Sequence, residues 1–242
     1  MKVVSKTDKG IVRSTNQDCF SIDNLSENAV LVAVCDGMGG ANGGNVASQT
    51  AIEAVSENIT AAYRDNMNSR SIKNLLQSAI YTANSIIYRK ASEDMSLYGM
   101  GTTIVLALIK SKRVYIAHVG DSRAYILNEQ KIEQLTRDHS LVQIMVEKGQ
   151  LTEEQAKSHP KKNLITKALG AESKVECDYL ELSLEDNDSL LFCTDGLTNT
   201  VEAHQIYTLY RDSGADEIAD VLIDTANKNG GSDNITAVLV TI

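Results

Sequence analysis

The period of apolar and polar positions changes several times along the chain, and each change marks an element. Residues 2–8 alternate weakly, as a half-buried strand does, and 19–22 resume that period after a polar turn at 10–18. The run 29–34 is short, β-branched and continuously apolar, which predicts a buried strand. Helical spacing follows. Val46, Ile52, Val55 and Ile59 share one face over 45–64, and Ile72, Leu75, Leu76, Ala79, Ile80 and Ile87 share one over 71–92. Strands are next predicted at 102–109, 113–119 and 123–127. Their connections, Ser111-Lys112 and Gly120-Asp121-Ser122, are short enough to predict antiparallel hairpins.

The pattern then changes character. Leu141, Ile144 and Met145 make a short apolar helical face, Thr152-Glu153-Glu154-Gln155 fits a capping box, and Pro160 interrupts a polar stretch. A small helical insertion at about 140–165 is the expectation. Strands resume at 179–184 and 189–193, helices follow at 202–212 and 215–229, and 235–242 closes as a strand. Runs of strands separated by helix pairs predict an α+β fold, with two antiparallel sheets packed together and helices outside both.

Composition narrows the classes. A chain of 242 residues without a Pro/Gly/Ser-rich linker is expected to form a single domain, 1–242. Hydrophobic content of 43% with 23% charged residues is ordinary for a water-soluble globular protein. The net charge of -9 opposes broad binding to nucleic acid. No apolar run approaches the roughly 18 residues that span a bilayer, and residues 1–6 lack the apolar segment of a signal peptide. A cytoplasmic protein without membrane insertion is therefore expected. Cys19, Cys35, Cys177 and Cys193 show no C-x-x-C pairing, so they read as thiols in a reducing compartment rather than a zinc site.

The candidate chemistry lies in carboxylates. Asp36 ends a predicted strand and precedes Gly37; Asp195 ends another and precedes Gly196; Asp233 follows Gly230-Gly231-Ser232 and opens the closing strand. Asp18 and Asp121 sit in turns beside strands. A carboxylate at the end of a buried strand is costly without compensation, and a divalent cation is the usual compensation. Taken singly, each is an ordinary turn aspartate. Taken together at strand ends, they predict convergence on one edge, where an all-oxygen set selects Mg²⁺ or Mn²⁺ over zinc. Two other readings fail. His118, Asp121 and Ser122 lack a G-x-S-x-G elbow, and strand alternation turns His118 away from the turn. The glycine-rich stretch 37–44 lacks the Lys-Ser/Thr of a P-loop.

Arg13-x-x-Asn16-Gln17-Asp18, Asp36-Gly37-Met38-Gly39-Gly40, Gly99-Met100-Gly101-Thr102-Thr103, Val119-Gly120-Asp121-Ser122-Arg123, Asp138-His139-Ser140, Ile165-Thr166-Lys167-Ala168-Leu169-Gly170, Thr194-Asp195-Gly196-Leu197 and Gly231-Ser232-Asp233-Asn234-Ile235-Thr236 occur in that order. Together they resemble the metal-dependent protein phosphatases of the protein phosphatase 2C type in their bacterial form, over nearly the whole chain. The resemblance implies a four-layer α-β-β-α sandwich. It also implies hydrolysis of phosphoserine and phosphothreonine on proteins by direct attack of water activated by two ions, Mn²⁺ or Mg²⁺.

By the same resemblance, Asp36 bridges both ions with the Gly37 carbonyl on one of them. Asp195 and Asp233 complete the other, and Asp18 supports the second ion directly or through water. Gln17 occupies the place where some relatives carry glutamate. Asp121 would hold a third, weaker ion, with Asn199 where some relatives have aspartate. Arg13 would clamp the phosphate, because a guanidinium fork pairs two oxygens of a tetrahedral anion; Arg123 is taken as structural. Met38 stands where many eukaryotic members carry a histidine proposed to protonate the leaving group, and methionine has no proton to give. Phosphorylated proteins, a cognate Ser/Thr kinase and a monomeric state complete the expectation. The alternative is a non-catalytic phosphoprotein-binding scaffold on the same fold, which would be expected to lose carboxylates; here Asp36, Asp195 and Asp233 are all present.

Overall fold

The computed structural model describes residues 1–214 and 216–242, except for the side chains of Ala41 and Asn42. In chain order the elements are β1 (Lys2–Asp8), β2 (Asp18–Ser26), β3 (Ala29–Met38), α1 (Gly40–Ala62), α2 (Ser69–Glu93), β4 (Gly101–Thr102), β5 (Ile104–Lys110), β6 (Arg113–Val119), β7 (Arg123–Leu127), β8 (Ile132–Gln134), α3 (Leu141–Glu147), α4 (Glu153–Lys157), β9 (Asp178–Ser183), β10 (Ser189–Cys193), α5 (Asp195–Thr198), α6 (Ala203–Asp212), α7 (Ile218–Lys228) and β11 (Ile235–Thr241). One sheet runs β1-β11-β10-β7-β8 and the other β2-β3-β5-β6-β9, with β4 paired to the end of β3. Every pairing is antiparallel.

Alternation along the strands sorts the aliphatic residues into layers. Val30, Val32 and Val34 of β3 meet Phe192, Val238 and Val240 of the opposite sheet in the central core. The intervening Leu31, Ala33 and Cys35 pack against α1 and α2. On the far side, Leu191, Cys193, Ala237 and Leu239 face Ile206, Leu222 and Ile223 of α6 and α7. The expected four-layer sandwich is the result, and β3, β5, β6 and β11 are buried on both faces over nearly their whole length. Among the described residues no helix is long and apolar enough to cross a membrane. The four cysteines are free, with Cys35 and Cys193 buried.

Several elements differ from the sequence expectation. The Gly120-Asp121-Ser122 link is no hairpin: β6 and β7 belong to different sheets, because the free edge of β6 is taken by β9 from far along the chain. The hairpin expected across Ser111-Lys112 does form, as β5–β6, whereas β7 makes its hairpin with β8, a short and polar strand. Helix α1 starts at Gly40 rather than 45, taking the glycines into its first turns where bare backbone is needed. A Cβ on Gly44 would lie 2.7 Å from the Gly37 carbonyl oxygen, and one on Gly43 would lie 3.0 Å from Met100. Tertiary packing there overrides poor helix propensity. The helix expected from 215 begins at Ile218, and Ala215 itself lies outside the described residues. The capping box on α4 is present with both of its hydrogen bonds.

Helix α5 meets β11 backbone to backbone. A Cβ on Gly196 would sit 1.9 Å from the carbonyl oxygen of Asn234, an atom that cannot rotate away. Gly196→Ala is therefore expected to cost about 1–3 kcal/mol, read as a lower urea midpoint with an unchanged m-value.

Candidate active site

The central core turns polar at one end of the sandwich, and the strand period explains which residues meet there. Asp18 continues the inward series of Phe20 and Ile22, and Asp36 continues that of Val30, Val32 and Val34. Thr194 and Thr236 extend the inward series of β10 and β11, and Thr103 that of β5. Asp18 and Asp36 are directly opposite in the β2–β3 ladder. Asp36 gives its backbone to the other side: its N–H donates to Thr103 Oγ1 at 2.9 Å and its C=O accepts Thr103 N–H at 2.9 Å. The Asp18/Asp36 pair is thus of the non-hydrogen-bonded kind, which brings side chains closest.

The elements around them add the remaining acids. Asp195 does not end a strand as expected; it is the first residue of α5, after the Thr194 cap. Its carboxyl lies beside that of Asp36, and Asn199 Nδ2 donates to its Oδ2 at 2.8 Å. Asp36 is also inside a strand rather than at its end, since β3 continues to Met38 along β4. Asp233, half-buried, precedes β11 and takes a hydrogen bond from Arg13 at 2.9 Å. Asp121 is buried in the crossover between sheets. The structure therefore brings Asp18, Asp36, Asp121, Asp195, Asp233 and Arg13 to one end of the sandwich, with Gly37 backed against Gly44 beside them.

Crowding of like charges is visible in the acids themselves. Burial first, then Asp18, Asp195, Asp121 and Asp233, pushes the Asp36 carboxyl well above the carboxylate range. Asp18 is pushed up to about 7, mainly by burial and against hydrogen bonds from Thr236 and Thr194. Asp121 rises to about 8 by burial and the nearby Asp195. Asp195 is raised by burial and by Asp233. Asp18 Oδ1 and Asp195 Oδ1 are buried without a hydrogen-bond partner. Orphaned buried carboxylate oxygens in an all-oxygen set fit divalent hard cations, and they fit no soft metal.

Some residues that build the site were not singled out from sequence. Thr194 and Thr236 donate to Asp18 Oδ2 at 2.8 and 2.7 Å. Asn234 ties the β1–β2 loop together, donating to the carbonyls of Lys9 and Thr15 and accepting the Gln17 N–H. Thr103 joins Asp36 to the Asp121 turn through a 2.7 Å contact with Ser122 Oγ. Their signal was present as polar residues in phase with an apolar strand face. Arg123, expected to be structural, makes a bidentate pair with Asp138. That pair floors a cleft of about 640 Å³ between α3–α4 and α5–α6, which reaches Asp121 and Asp195.

Known proteins share this architecture. The family model of protein phosphatase 2C matches residues 10–240. The serine/threonine phosphatase stp of Listeria monocytogenes is 39% identical over 239 residues, covering 97% of this chain and 93% of its own. The crystal structure of the Staphylococcus aureus serine/threonine phosphatase Stp1 superposes with a TM-score of 0.94 at 38% identity, over 100% of this chain and 94% of that one. The catalytic domain of the phosphatase PstP, solved with two manganese ions, gives 0.84 at 32% identity, over 98% and 96%. A match of this extent to the family model, on a sandwich whose polar end gathers the motif aspartates, places the chain in the protein phosphatase 2C family.

Proposed function

We propose that the protein removes phosphate from serine and threonine side chains of other proteins in a reaction that depends on divalent cations, with residues 1–242 working as one catalytic domain. The observation that carries this reading is a buried carboxylate cluster with unpartnered oxygens beside an exposed arginine. Asp36 would bridge two ions, with the Gly37 carbonyl on one; Asp195 and Asp233 would complete the other site, and Asp18 would support the second ion. When bound, the cations supply Lewis acidity, lowering the pKa of water and offsetting charge on the phosphoryl oxygens. Mn²⁺ and Mg²⁺ both suit such a set, and the manganese pair in the PstP structure supports the reading. Asp121 would take a third ion more weakly, because Asn199 turns its amide to Asp195 and adds no charge.

The chain's own groups do the rest. Arg13 rests on a single Asp233 oxygen with half of its side chain in solvent. Exposed pairs of this kind contribute about 0–1 kcal/mol, so a phosphate dianion offering two oxygens competes well for the fork. Arg13 thereby binds and orients the phosphate. Thr194, Thr236 and Asn199 hold their carboxylates before substrate arrives, so little reorganisation accompanies reaction. Met38 carries no proton, and the leaving oxygen takes its proton from water. The cleft beside Asp195 would receive the substrate chain, with Lys157, Lys162, Glu153 and Glu202 among its walls. A Ser/Thr kinase that installs the phosphate is the implied counterpart, and the protein would act as a monomer.

The purified protein is expected to hydrolyse a phosphothreonine peptide with Mn²⁺ or Mg²⁺ and to stop in excess chelator. Undiminished turnover in metal-free buffer would overturn the reading. Arg13→Ala removes a charge-assisted pair to phosphate of about 1.5–3 kcal/mol, so kcat/KM should fall by about one to two orders of magnitude. Calorimetry should find Mn²⁺ affinity nearly unchanged. A collapse of metal binding instead would make Arg13 a structural partner of Asp233.

A further inference from the structure

His118, His139 and Asp178 form a second cluster beside the Asp121 turn, with one ligand-type atom from each within 4.8 Å of the others. The residue types suit a zinc site. Hydrogen bonding argues otherwise. A neutral imidazole has one N–H and one free lone pair. Gly120 N–H donates to His139 Nδ1 at 3.0 Å, so the lone pair is used there and Nε2 must carry the hydrogen. A nitrogen that carries hydrogen cannot ligate a metal. This Nε2 is buried, has no aligned partner, and faces Asp178 Oδ1 at 3.4 Å. Burial, His118 and Lys167 push the His139 pKa down to about 4, which keeps the ring neutral.

What the cluster does is hold a turn. Gly120 has φ +108, and Thr103 lies 2.5 Å from where its Cβ would be, so the backbone is pinned on one side by packing. On the other side His139 takes both polar groups of Gly120: its Nδ1 accepts the N–H, and its backbone N–H donates to Gly120 O at 2.9 Å. The ring plane is fixed by His118, stacked at 4.8 Å and 8°, whose Nε2 pairs with Arg137 O at 2.9 Å. The His139 carbonyl accepts Thr166 N–H at 2.7 Å, and Ser140 bridges to Ile165, so the same residue closes the base of the insertion.

We propose that His139 is a positioning residue: its Nδ1, oriented by His118 and Asp178, clamps the Gly120 turn and so fixes the Asp121 carboxylate against Asp36 and Asp195 and against the base of the insertion. The consequence for turnover rests on the reading of Asp121 as part of the active site; the clamp itself does not. His139→Leu removes the acceptor at similar volume, and His139→Asn returns a side-chain oxygen near the Nδ1 position.

Amide hydrogen exchange at Gly120 in the metal-free protein reads the clamp directly. Steady-state kinetics on a phosphothreonine peptide across Mn²⁺ concentrations read its consequence. In the leucine variant Gly120 should exchange roughly tenfold faster or more, kcat should fall roughly tenfold with KM little changed, and half-maximal activation should need more Mn²⁺. His139→Asn should restore all of these. Should the leucine variant not fold, Asp178→Ala, at a half-exposed strand position, should move the same readouts in the same direction by less.

Unchanged Gly120 protection in the leucine variant, or asparagine no better than leucine, overturns the proposal. So does stoichiometric Zn²⁺ binding that is lost in His118→Ala. Faster exchange with unaltered kinetics overturns the link to Asp121 while leaving phosphatase activity standing, whereas an inactive wild type strikes at the functional reading alone.

Discussion

Carboxylates crowded at the open end of the sandwich are the constraint on which the rest of the architecture depends. Two stacked sheets deliver inward-facing side chains in register, and where the aliphatic series stops, the next inward positions are Asp18 and Asp36, in a directly opposed pair. Helix α5 and the turn before β11 bring Asp195 and Asp233 against them. Like charges this close in partly desolvated surroundings repel strongly. Threonine and asparagine donors offset part of that, at Asp18 Oδ2 and Asp195 Oδ2, but one oxygen on each acid is left with nothing. The cluster therefore makes sense as a receptor for cations, and a four-layer fold with a rigid core holds it together while they are absent.

The carboxylates that converge were legible because each sits at a discontinuity in pattern. Asp36-Gly37, Asp195-Gly196 and Asp233 interrupt apolar runs where a strand should simply end, and their repetition told more than any one of them. Layering was equally legible, since the apolar period passes from two to about 3.6 at the helix pairs. What the sequence did not show were partnerships across distance. β9 closing the edge of β6, and so sending β7 to the other sheet, depends on residues some sixty positions away and leaves no local mark. The same holds for Thr103 and His139, whose roles come from contacts with Asp36 and Gly120 rather than from spacing. Gly44 misled in the opposite direction, because its value lies in letting its backbone touch that of Gly37.

Two arginines illustrate how position sets role. Arg123 is largely buried and forms a bidentate pair with Asp138, a geometry that leaves the fork no freedom. Arg13 is exposed and holds one oxygen of Asp233, a contact that water and ligand can replace at little cost. One braces the cleft floor; the other is free to meet an anion.

The receptor account makes a direct statement about the metal-free protein. A carboxyl whose folded pKa lies above its unfolded value contributes stability that is complete below the unfolded value and is lost as pH rises through the folded one. For Asp18 that window runs from 3.8 to about 7, and for Asp121 from 3.8 to about 8. Thermal unfolding in excess chelator, followed from about pH 5 to about pH 8, tests this most directly when repeated with saturating Mg²⁺. The account predicts a melting temperature that falls steadily with pH in chelator, and a Mg²⁺ stabilisation that grows as pH rises because each ion then replaces fewer protons. A melting temperature that ignores pH in chelator and gains nothing from Mg²⁺ would contradict it.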